Sequence, residues 1–192
     1  VAACALALLL PAIAVHAEQA DRDQPMTIQA DQQSTLDLLK QVIVFNGNVV
    51  ITQGTMSIHA DRVEVRQSPE GFRSATAIGH PASFRQKRQG MDETIEGFAD
   101  RVEYDGQADT VRFIGHAQVH RLRGGAVADE ITGDEITYNN VTEVFHVAGG
   151  PSNVSPANPN GRVRAVLTPA PAHPASAPPA QLKPSTGLGE QH

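Results

Sequence analysis

The chain has 192 residues and a net charge of −6, with six Phe, two Tyr and no Trp. A mild acidic excess without aromatic platforms argues against nucleic-acid binding and against a stacking site for bases or sugars. The one cysteine, Cys4, lies in the leading apolar run, so the rest of the chain can form no internal disulfide and must rely on backbone pairing and burial.

Residues 1–17, VAACALALLLPAIAVHA, form an apolar run that closes on Val15-His16-Ala17. That is the small-residue pattern a signal peptidase reads, so a secretory leader is expected, cleaved before Glu18. The run is too short for a membrane span. Neither an initiator Met nor a basic segment precedes it, so the sequence is expected to start inside the leader. Its hydrophobic stretch follows Cys4 instead of preceding it, the reverse of a lipoprotein box. A short linker, 18–24, is expected before the folded part.

From residue 25 a unit recurs four times: an Asp-containing corner, then an alternating run with a central glycine. The glycines are Gly47, Gly79, Gly115 and Gly149, spaced by 32, 36 and 34 residues. The aspartates are Asp31, Asp61, Asp100 and Asp134, spaced by 30, 39 and 34. Helical repeats share this period, but alternation within each unit is two and Val, Ile, Thr and Phe dominate, which predicts strands.

Parity changes at each corner. Met56, Ile58 and Ala60 give way to Val63 and Val65; Ile95, Gly97 and Ala99 to Val102 and Tyr104; Ile131 and Gly133 to Ile136 and Tyr138. A strand with one buried face can change parity only through a bend or bulge. Each Asp is therefore expected at a bend, its carboxylate accepting from nearby backbone N–H groups. The repeat glycine marks a second crowded place.

Stacked bent strands of this kind give an all-β, open, twisted roll with one apolar interior face. Ile43, Phe45, Val49, Ile51, Met56, Ile58, Val63, Val65, Val111, Phe113, Val119, Ile136, Phe145 and Val147 are expected on it, with Asn46, His59, Arg62, Glu64, Arg112 and His120 outside. Residues 151–161 read as loop and 162–168 as a last strand, which places the domain at 25–168. The Pro/Ala-rich residues 169–192 are expected to be disordered. An open roll leaves two edges able to accept a partner's strand, here Met26 and Ile28 at one end and Arg162, Val163, Arg164 and Val166 at the other.

Catalytic and metal chemistry find little support. Asp61, Asp100 and Asp134 could form a carboxylate row, but a row made by repetition supplies no asymmetric acid and base. His80, His116 and His146 lack zinc-site spacing and read as solvated outer residues, so no metal and no cofactor is expected. No G-x-x-x-x-G-K-[ST] motif is present, so ATP hydrolysis is expected elsewhere.

The run DQQSTLDLLKQVIVFNGNVVITQGTMSIHADRVEV (31–65), followed by ADRVEY, GDEITY and GRVRAVLTP, resembles the OstA family of periplasmic lipopolysaccharide-transport proteins over roughly residues 24–170. The resemblance rests on F-x-G-N-V-x-I-x-Q-G followed by I-x-A-D-x-V. It implies a β-jellyroll, V-shaped in section, located in the periplasm. It also implies lipopolysaccharide (its lipid A) as cargo, an LptC-like inner-membrane partner, an LptD-like outer-membrane partner, and head-to-tail self-association. The fourteen interior residues then become the expected acyl-chain contacts. Arg85, Lys87 and Arg88, read as a basic loop, become candidate phosphate contacts. One departure stands out: Leu38-Leu39-Lys40-Gln41 replaces an expected tight polar turn. A lipid-free periplasmic scaffold or chaperone-like roll is the alternative.

Overall fold

Period-two alternation sustained over a dozen residues and interrupted once produces long strands that bend in the middle. The computed structural model describes residues 21, 24–68, 71, 73–88 and 90–169. The expected leader and nearly all of the expected tail lie outside the described residues. The strands are β1 (Thr27–Gln29), β2 (Thr35–Asp37), β3 (Val42–Gln53), β4 (Met56–Gln67), β5 (Arg73–Lys87), β6 (Glu93–Asp105), β7 (Thr110–Arg123), β8 (Ala126–Asn139), β9 (Val144–Ala148) and β10 (Arg164–Leu167). They form one antiparallel sheet that does not close on itself. The long strands β3 to β8 pair in sequence order, β1 and β2 share β3, and β9 and β10 share β8.

Every long pair shifts register near its middle, for example between His59 and Arg62 on β4 and between Phe98 and Arg101 on β6. Two successive residues there, Asp61 and Arg62 or Asp100 and Arg101, face solvent, and the buried parity flips across them. The sheet is thereby folded into two walls. The first contains β2, β9 and the segments 42–46, 62–67, 73–78, 101–105, 110–114 and 135–139. The second contains β1, β10 and the other half of each long strand. The two short strands at each end are thus the halves of one bent strand.

The corner aspartates act differently from expectation. Asp61 Oδ2 lies 2.8 Å from His80 Nδ1, Asp100 Oδ2 lies 2.8 Å from His116 Nδ1, and Asp31 Oδ2 accepts from Asn48 Nδ2 at 3.2 Å. Of the four, Asp134 alone receives a backbone N–H, from Ser152 at 2.7 Å. The bulge turns the other three carboxylates across the sheet, where each reaches the residue beyond the next repeat glycine. Gly115 adopts φ +79, and a Cβ there would lie 2.5 Å from the Asp100 carboxylate. The Asp and Gly signals of adjacent repeats are therefore two halves of one joint.

The far rim of the first wall has its own repeated device. Asp37, Asp105 and Asn139 each accept two backbone N–H groups through Oδ1, from Leu39 and Lys40, Gln107 and Ala108, and Val141 and Thr142. Each turn closes on a left-handed residue: Gln41, Asp109 or Glu143, with φ between 51 and 55. Leu38–Leu39–Lys40–Gln41 is thus one copy of a common Asx turn, which tolerates any side chain at its exposed centre.

Candidate functional site

The interior is where the two walls face each other. Of the fourteen residues expected there, Val49, Ile51, Ile58, Val63, Val111, Phe113, Val119 and Ile136 are sealed from solvent, and Met56 and Val65 nearly so. Ile43, Phe45, Phe145 and Val147 are half-buried toward the ends of the stack. Further inner residues outside the fourteen include Ala82, Phe84, Ile95, Val102, Tyr104 and Tyr138. Phe84 was hidden because parity resets at the His80-Pro81 corner; the run Ala82-x-Phe84-x-Gln86 carried the signal.

In mid-stack the walls touch. The rings of Phe84 (second wall) and Phe113 (first wall) meet edge to face at 5.8 Å. Phe113 also lies over Gly97 of the opposite wall, where a Cβ would sit 2.1 Å from its ring. Toward both ends the walls part. At the N-terminal end a cavity of about 400 Å³ is lined mainly by Met26, Ile28, Leu36, Leu38, Ile43 and Val65. At the C-terminal end a cavity of about 290 Å³ lies between Ile95, Val119 and Ile131 on one wall and Tyr138 and Phe145 on the other. Tyr138 and Phe145 stack at 4.5 Å, and burial pushes the Tyr138 hydroxyl up to about 12.

Charged groups crowd the mouth of this second cavity. Arg88 donates to Glu93 on its own wall and forms a two-point contact with Glu143 on the other, at 3.2 Å (Nε to Oε1) and 2.5 Å (Nη2 to Oε2). Glu93 also accepts from Arg121 at 3.0 Å and from Arg123 at 3.1 Å. Arg121 Nε donates to Asp129 at 2.8 Å. Burial pushes the Glu93 carboxyl up, but donation from Arg123, Arg88 and Arg121 outweighs it and holds the group below its usual range. Asp129 is likewise held low against burial, by Arg121 and the Thr168 amide.

These contacts revise the reading of the basic cluster. Arg85 and Lys87 stand at the end of β5 instead of in a loop, because the period-two run continues through them. Arg85 is paired with Glu96, its cross-strand neighbour, and Arg88 with two carboxylates. The edge assignment is also refined. Ile28 sits in β1 opposite Ile51, and Met26 packs against the core beside it. Arg164 and Val166 sit in β10 at the opposite edge, with Arg164 3.1 Å from Glu130. Arg162 lies before β10, and its backbone is already used: its N–H donates to Asn158 and its carbonyl accepts from Asn153 and Asn158. It cannot join an added strand. Asp21, in the expected linker, is tied to the sheet through Thr55 and Gln86.

At both edges the inner face runs out into solvent. Leu36, opposite Ile43, is 57% exposed, and Leu167, opposite Asp129, is 70% exposed. The apolar inner face is therefore open to water at both edges of the sheet.

Comparison with known proteins agrees with this geometry. The model of the family "LptA/(LptD N-terminal domain) LPS transport protein" matches residues 27–144. Lipopolysaccharide export system protein LptA of Escherichia coli K12 is 39% identical over 140 residues, 70% of each chain. The LptA of Haemophilus influenzae is 35% identical over 101 residues, 51% of this chain and 58% of its own. Among solved structures, LptH of Pseudomonas aeruginosa, described as the LptA-homologous periplasmic component of a lipopolysaccharide transport device, superimposes with a TM-score of 0.66 at 27% identity. That match covers 78% of this chain and 99% of LptH.

Proposed function

The chain belongs to the LptA/LptD N-terminal-domain family of lipopolysaccharide transport proteins, and we propose that it carries lipopolysaccharide through the periplasm with the acyl chains held between its two walls. The carrying observation is an apolar interior that runs from one edge of the sheet to the other and widens into a cavity at each end. Exposing methylenes to water costs about 0.8 kcal/mol each, so ten unshielded methylenes cost about 8 kcal/mol. Apolar contact is non-directional and offsets this without recognising each chain.

Because the walls touch at Phe84 and Phe113, acyl chains begin in the end cavities, and transit requires the walls to part at mid-stack. The two edges support assembly in series: β1 and β2 at one end, β9 and β10 at the other, each with unpaired backbone groups among the described residues. Such a series joins LptC-like and LptD-like partners at the two membranes through head-to-tail copies of the 25–168 domain, after removal of the 1–17 leader. Equivalent interiors in series make each step nearly isoenergetic, so direction comes from loading at one end and removal at the other.

The test is crosslinking in cells that make lipopolysaccharide, from a photoreactive amino acid placed at Phe145, Phe113 or outward Arg112. Lipopolysaccharide adducts are expected at the two inner positions and not at Arg112. Protein crosslinks at β1 or β10 with no lipid adduct at either inner position would support a lipid-free scaffold instead.

A further inference from the structure

The ion network at the C-terminal cavity has three features that a purely structural cluster does not require together. It is charge-balanced, with Arg88, Arg121 and Arg123 against Glu93, Asp129 and Glu143. It spans the mouth at one place, since Arg88 belongs to the turn after β5 on the second wall while Glu143 closes the Asx turn before β9 on the first. It also stands directly over an apolar cavity, whose lining includes both Arg88 and Glu143. The remaining pairs lie within the second wall, so parting the walls breaks the Arg88–Glu143 contact and spares the others.

Parting strands a cation. Glu143 is the more exposed partner, its side chain 35% accessible, and it moves out into water easily. Arg88 is only 15% accessible and keeps a single carboxylate, Glu93, which Arg121 and Arg123 already share. A partly buried guanidinium left short of a partner is unfavourable, and an incoming anion with planar or tetrahedral oxygens relieves it with two parallel hydrogen bonds.

We propose that Arg88 is an anion subsite for an amphiphile, in which a phosphate monoester takes the place of the Glu143 carboxylate while the attached acyl chain fills the cavity between Ile95, Val119 and Phe145. Glu143 is then an internal stand-in for the headgroup: it keeps the mouth shut when the cavity is empty, and a phosphate releases it. This rests on the lipid-carrying reading above and adds to it a headgroup position and an opening trigger. An uncharged amphiphile of equal acyl content can fill the cavity but cannot replace Glu143.

The experiment measures binding of full-length chain to three probes: diphosphorylated lipid A, the same lipid A enzymatically stripped of phosphate, and inorganic phosphate alone. Wild type is expected to prefer the phosphorylated lipid about tenfold, equivalent to about 1.4 kcal/mol. Glu143→Gln keeps the shape of the turn and is expected to tighten phosphorylated lipid A several-fold. Glu143→Gly, which also suits the left-handed φ of 55, is expected to do the same and controls for disturbance of the turn. Arg88→Gln is expected to erase the preference, its fold verified by the thermal transition; should it unfold, the two Glu143 variants decide. Equal binding of the two lipids by wild type, or no gain in either Glu143 variant, overturns the proposal while lipid carriage stands. Displacement of the lipid by inorganic phosphate at matched concentration overturns the lipid as source of the anion. No binding of either lipid removes the carrier reading itself.

Discussion

Gly97 shows how one residue sets the distance between the walls. Its φ is ordinary, so no backbone strain explains it; the space above it is taken by the Phe113 ring of the facing wall. Phe113 is itself sealed from solvent and has nowhere to go. Gly97→Ala is therefore expected to destabilise by about 1–3 kcal/mol, the usual range for overpacking. Urea unfolding measures this, and the Phe113→Leu background should recover part of the loss in a double-mutant cycle. A full, unrelieved loss in both backgrounds would mean that Gly97 serves its own strand, not the wall opposite. The alternation made the inward direction of both residues legible. That they meet was not, because they are sixteen positions apart on opposite sides of a fold in the sheet.

Among the elements, β6, β7 and β8 meet at their second-wall ends through Glu93, Arg121 and Asp129, three charged groups on the interior face at the rim of the apolar cavity. Glu93 and Asp129 are both held below their usual values of 4.5 and 3.8. A carboxyl depressed in the folded state contributes stability that is complete above its unfolded pKa and is lost as pH falls through the lower folded one. The midpoint of thermal unfolding is therefore expected to hold steady down to about pH 5 and decline below it. Glu93→Gln should flatten that decline and lower the midpoint at neutral pH, since three arginines lose their shared acceptor. An acid limb unchanged by the substitution would assign the decline to other carboxylates. Sequence reading took Arg85, Lys87 and Arg88 for a basic loop of candidate phosphate contacts and did not link Arg88, Arg121 and Arg123 to carboxylates. Their partners come from other strands, at separations of 5 to 55 residues, so local spacing held no trace of them.

For the whole molecule, the decisive feature is that an interior designed for two facing walls reaches water at both edges. Leu36 and Leu167 lie on that inner face at opposite ends of the sheet. If copies stack with interiors aligned, each becomes buried at a junction, and each adds its apolar area to the association. Leu36→Glu and Leu167→Glu are expected to shift the sedimentation profile from oligomer toward monomer. Each should change the monomer's own stability by no more than about 0.5 kcal/mol, as for exposed positions generally. Wild-type protein that stays monomeric at high concentration would argue that these ends await other partners rather than copies of this chain.

The sequence by itself determined the class of fold, the number of repeats, and which side of each strand is oily, because a period of two and its interruption are local properties of a chain with one buried face. It also located the corners, since only a bulge can invert parity. Tertiary structure decided what those corners hold together: the repeat aspartates clasp His80, His116 and Asn48 across the sheet instead of their own backbone. It decided too that the interior is closed in the middle and open at its ends, and that the Arg88–Glu143 ion pair crosses the mouth of one cavity. Contacts between walls depend on how far the sheet folds, and that angle is set by all the bulges acting together, which no stretch of sequence specifies alone.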